Sequence, residues 1–143
     1  MNMNMKVSFK EAPQYLGERL KELEKDYLKL QVQVWGLFPD LDLILIRVGA
    51  VYLPEKRSPL FFIGESELVI SEDQTRLPKP ALLRALAEAL EQVDRELLKV
   101  RKEELPPQFE DMASLLSGPI RALYRDADFL EEVENFEEEV GND

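Results

Sequence analysis

At 143 residues the chain is sized for one domain with a substantial core, and its 45% apolar and 33% charged residues suit a globular protein. It has no cysteine and no histidine, which excludes disulfides, thiolate metal sites and the commonest general base. Net charge is −11, yet from Asp126 onward there are nine acidic residues and no basic one, so the preceding 125 residues are nearly neutral. Contact with a nucleic-acid backbone is disfavoured, because phosphate neutralisation needs clustered Lys and Arg.

The first residues lack the apolar core of a signal peptide, so a cytoplasmic protein is expected. Residues 11–30 are expected to form the first helix. Leu16, Leu20, Leu23, Tyr27 and Leu30 recur at helical spacing, and Pro13 is tolerable in the first turn. The period then changes: Leu30, Val32 and Val34 alternate with Gln31 and Gln33, the repeat of a half-buried strand. Residues 36–40 break that pattern with a Pro39-Asp40 turn. The run 41–48, the most continuous apolar stretch, is expected to be a strand covered on both faces. A bend at Gly49, a polar loop over 54–59 and two short strands around Gly64 (60–63 and 67–70) complete a meander, closed by Ser71-Glu72-Asp73.

Residues 80–104 read as a longer helix. Its seam of Leu83, Leu86, Leu90, Val93, Leu97 and Val100 suits a helix packed on the sheet rather than a coiled coil. Pro106-Pro107 marks its stop. A short helix over 109–117, an interruption at Gly118-Pro119 and two helical pieces over 120–124 and 129–140 follow. The fold class is therefore α+β: a small, mostly antiparallel sheet packed by two amphipathic helices, with an acidic helical C-terminus. One domain spans 1–125, and 126–143 forms an acidic tail.

Carboxylates are the only catalytic groups on offer. Asp40, Asp42, Glu65 and Glu67 could serve a divalent-metal enzyme, since paired carboxylates hold hard cations or share acid and base roles. The Pro39-Asp40 pair invites comparison with restriction-type nucleases, but the downstream acid-x-lysine is missing. Trp35-Gly36-Leu37-Phe38 reads as core. No catalytic residue, metal site or cofactor is assigned. The sharpest feature is the tail, where Phe129, Leu130, Val133 and Phe136 run through the acid. A solubilising tail has no need of two phenylalanines, whereas helix-in-groove partners read such anchors; the stripe could equally dock on the chain's own body. The expected protein-binding residues are Phe129, Leu130, Val133 and Phe136 as anchors, with Glu131, Glu132, Glu137 and Glu138 as steering charges. A DNA mimic or nuclease inhibitor, and an oligomer through the leucine seam, are the alternatives; a monomer is expected over a homodimer.

Two stretches, Gln33-Val34-Trp35-Gly36-Leu37-Phe38-Pro39 and Phe129-Leu130-Glu131-Glu132-Val133-Glu134-Asn135-Phe136, give the chain a further character. In these and in size it resembles small phage-encoded regulators of bacterial RNA polymerase from thermophile-infecting phages. The resemblance implies a non-enzymatic inhibitor that binds the host polymerase holoenzyme near the β flap and the σ factor and alters promoter recognition.

Overall fold

A computed structural model describes residues 5–38, 40–54, 58–70, 76–104 and 116–141, the side chains of 104 and 137–141 excepted. The elements in order are β1 (Lys6–Ser8), α1 (Ala12–Lys21), β2 (Leu28–Gly36), β3 (Leu43–Tyr52), β4 (Leu60–Val69), β5 (Arg76–Pro78), α2 (Lys79–Glu104) and α3 (Ser117–Gly141). The fold is α+β. Strands β2, β3 and β4 form an antiparallel meander, and β1 pairs with β5 in a separate two-stranded sheet.

The central strand carries the core. Ile44, Ile46, Val48, Ala50 and Tyr52 are buried on its inner face, while Leu43, Leu45, Arg47, Gly49 and Val51 face outward and are partly exposed. The run expected to be covered on both faces is thus covered on one. An apolar run alone does not say how many layers exist to cover it.

Helix α2 covers that inner face, and its approach to β4 is unusually close. A methyl on Gly64 would lie 1.9 Å from the carbonyl oxygen of Ala89. One residue pair further along, the buried Ser66 hydroxyl donates to the Ala85 carbonyl at 2.5 Å. Small residues on both elements let the backbones approach, so Leu82, Leu86, Leu90, Val93 and Leu97 become fully or almost fully buried. The leucine seam is core.

Four local expectations are corrected. Helix α1 ends at Lys21, not at residue 30, because the alternating period already begins at Leu28 and a tight turn (Lys25 paired with Leu28) intervenes. Strand β3 runs straight through Gly49, and the two strands expected around Gly64 are one ten-residue strand in unbroken register with β3. The C-terminal pieces are a single helix, since Pro119 sits in the first turn of α3, where its missing N–H costs nothing. The pairing of β1 with β5 was not anticipated, being too short for a periodic signal. The expected helix over 109–117 lies mostly outside the described residues, as do Lys56, Arg57, Ser71-Glu72-Asp73 and Pro106-Pro107.

The close helix–strand contact sets a stability test. Gly64→Ala is expected to cost about 3 kcal/mol, because the new methyl meets backbone that cannot turn aside. Gly49→Ala, with nothing within 4 Å of the added carbon, is expected to stay within about 1 kcal/mol. Urea unfolding midpoints of the two variants check the contrast.

Candidate functional site

Helix α3 carries two apolar stripes. The inner one, Ile120, Leu123, Ala127 and Leu130, begun by Leu116 just before the helix, packs against the body; all but Leu130 are buried. At about 100° per residue the outward side of the helix falls on Phe129, Glu132 and Phe136. Phe129 is 60% exposed and Phe136 65% exposed. Val133, between the stripes, is half-buried.

The sequence-derived site residues therefore divide. Phe129, Val133 and Phe136 line the outward flank, and Glu132 stands exposed among them. Leu130 belongs to the inner stripe and serves docking of the helix on its own chain. Glu131 is engaged with Arg84. Glu137 and Glu138 lie on α3, but their side chains are outside the described part of the structure. The alternative that the two phenylalanines dock on the body is settled by their exposure. A separate stripe, overlooked because Gly118-Pro119 seemed to break the helix, does that work; its seven-residue repeat from Leu116 through Leu123 to Leu130 was the available signal.

Arginines fix the helix from the body side. Arg84 on α2 donates to Asp128 at 2.9 Å and to Glu131 at 3.0 Å, with a further short bond to the second Glu131 oxygen. These bonds raise the Arg84 pKa above its ordinary value, and the same guanidinium holds the Glu131 carboxyl below its own. Arg19 on α1 reaches Asp126 at 3.4 Å. Burial, a hydrogen bond with Glu91 and the charges of Glu91 and Glu88 push the Tyr124 hydroxyl up to about 12, so it stays protonated across the physiological range.

A second surface was missed by the sequence reading. The outer face of the three-stranded sheet is bare of any other element among the described residues. Trp35, expected in the core, lies on this face with the Arg47 guanidinium 4.7 Å above its ring. Arg47 also pairs with Glu65 at 2.9 Å. Phe61, Ile63 and Val69 stand exposed on β4. A shallow groove of about 550 Å³ passes over Gly49, between Lys29 and Gln31 on β2 and Phe61 and Ile63 on β4.

The carboxylates considered for metal chemistry are spread out. Asp40 and Asp42 sit at the β2–β3 turn, Glu65 is held by Arg47, and Glu67 stands opposite Leu45. Among the described residues no group of three or more such side chains could hold a metal ion.

Arg84→Ala is expected to destabilise the fold by about 1 kcal/mol or less, since Glu131 and Asp128 are half-exposed or more. The Glu131 carboxyl is depressed by folding, so its share of that difference is fully present above its unfolded value of 4.5 and disappears as pH falls through the folded value. Urea melts of both proteins at pH 7 and at a series of acidic values below 4.5 read the difference, which should narrow as pH falls.

No known protein family, curated protein or solved structure matches the chain.

Proposed function

We propose that this chain is a non-enzymatic regulator that binds another protein through the outward side of α3, acting by occupying or displacing a partner surface. The observation that carries the reading is the pair Phe129 and Phe136, exposed on a helix whose opposite stripe is committed to the body. Seven residues of helix set the two rings about 10 Å apart along the axis, the spacing of anchors in a helix-binding groove. The exposed Glu132 stands between the rings, and beyond Arg125, one turn before Phe129, the helix carries acidic residues and no basic one. The matching partner surface is therefore basic at its rim and apolar at its centre.

Bacterial RNA polymerase holoenzyme, near the β flap and the σ factor, is the partner that the resemblance suggests, and its nucleic-acid-handling surfaces have the required sign. Inhibition would follow from masking the surfaces that recognise promoters. Charge sets the approach rate and specificity in such a contact, while the buried aromatic anchors set residence.

The test is capture of purified bacterial polymerase holoenzyme by the full-length chain and by two variants at low and high salt. Phe129→Ala combined with Phe136→Ala should weaken binding at least about a hundredfold, and the loss should persist at high salt. Glu132→Gln should lower affinity only a few-fold and only at low salt. Equal capture by the phenylalanine variant would move the contact off α3. Failure of the wild-type chain to capture polymerase removes that partner, and salt-steep binding competed by DNA would favour a DNA mimic instead.

A further inference from the structure

Strand β4 is an edge: β3 lies along one side, and no strand lies along the other among the described residues. In an antiparallel ladder alternate residues turn both backbone groups to the same side. Glu65 shows which residues turn outward. Its N–H donates to the Gln92 side-chain oxygen at 2.9 Å, and its carbonyl accepts from the Gln92 side-chain nitrogen at 2.7 Å. The Gln92 amide presents an N–H donor and a carbonyl acceptor side by side, as the backbone of a neighbouring strand would, so it stands in for one residue of such a strand.

Phe61, Ile63, Glu67 and Val69 share the orientation of Glu65. No hydrogen bond among the described residues takes up their outward N–H and carbonyl groups. Apart from Gln92 and its two glutamates, β4 lacks the usual protections of an edge. It has no proline and no lysine, and its register with β3 contains no bulge. The side chains above this edge are apolar at Phe61 and Ile63, 75% and 60% exposed, and acidic at Glu65 and Glu67.

We propose that the free edge of β4 is a strand-addition site for an extended segment of a partner protein. The segment displaces Gln92, bonds the outward backbone groups from Phe61 to Val69, and carries apolar residues opposite Phe61 and Ile63 and a basic residue opposite Glu67. Charge complementarity selects this occupant, because Glu67 has no ion pair among the described residues. A second copy fits poorly: antiparallel self-pairing centred on Glu65 would set that carboxylate against its own image. Helix α2 lies between this edge and α3, so the site stands independently of the contact proposed for the acidic helix.

The probe is a capped nine-residue peptide, Val-Thr-Lys-Thr-Thr-Thr-Val-Thr-Val, which in antiparallel pairing sets its lysine opposite Glu67 and its last two valines opposite Ile63 and Phe61; it is added to the isotope-labelled full-length protein. Amide exchange at Phe61 and Ile63 should slow at least about tenfold. Gln92→Ala, whose edge needs no displacement, should bind about tenfold more tightly. Ile63→Pro removes an outward N–H without touching a bond to β3, and should weaken binding at least about tenfold while circular dichroism stays unchanged. Should that variant not fold, Glu67→Lys supplies the reading: it should bind the same peptide with glutamate in place of its lysine better than the original, reversing the wild-type order. Peptide effects confined to α3, equal binding by Ile63→Pro that remains folded, or an unreversed order in Glu67→Lys would overturn the proposal. Self-association of Gln92→Ala through β4 without peptide binding would overturn it too, by making the occupant a second copy.

Discussion

The molecule depends on how closely α2 can lie on β4. Gly64 has no side chain to hold the helix off, and Ser66 meets the Ala85 carbonyl with a hydroxyl where a larger residue would meet it with bulk. Ala85 and Ala89 supply the matching smallness on the helix. With the backbones this near, the leucines on either side of the alanine row reach down into the sheet, and the inner positions of β3 are sealed. A helix held further away would leave voids along that row, and tightly packed interiors do not tolerate them cheaply.

Once α2 is seated, its remaining surface decides the rest of the chain. The side away from the sheet receives the inner stripe of α3, and Arg84 on that side meets Asp128 and Glu131. Helix α1 lies against β2 and reaches α3 through Arg19 and Asp126. The order is sheet, α2, α3, and among the described residues the outer sheet face and the outward side of α3 are left without cover. Both carry exposed aromatic residues beside charge, the combination found where proteins meet. The electrostatics divide in the same way. Asp126, Asp128 and Glu131 are answered by arginines of the body and hold the helix in place, whereas Glu132 stands outward beside the exposed phenylalanines.

The edges of the sheet are treated differently from its face. Glu24 accepts the outward N–H of Leu30 on β2 at 3.0 Å, and Gln92 takes both groups of Glu65 on β4. Each is a side chain satisfying a backbone group that a neighbouring strand would otherwise satisfy. One amide on β4 leaves the residues to either side of it unanswered, so that edge is protected at a point and open along its length.

Much of the architecture was legible in the sequence, for reasons that can be traced to residues. The leucine repeat of α2 and the alternation of β2 are periodic over enough turns or pairs to identify themselves. The concentration of acid after Arg125 needed only counting. Where signals overlapped, the reading slipped: Tyr27 and Leu30 fit a helical spacing by coincidence, and Gly118-Pro119 looked like a break although proline is at home in a first turn. The sequence by itself determined the α+β class, the central apolar strand, the long helix and the presence of two phenylalanines within the acid. Only the tertiary structure decided which apolar residues stay exposed. Leu130 and Phe129 are neighbours in the chain and equally apolar, but the helix turns them about 100° apart, which brings one against the body and leaves the other outward. The same holds for Trp35 and Val34 on β2, since covering a face requires a second element, and where that element lies is a property of the packed chain.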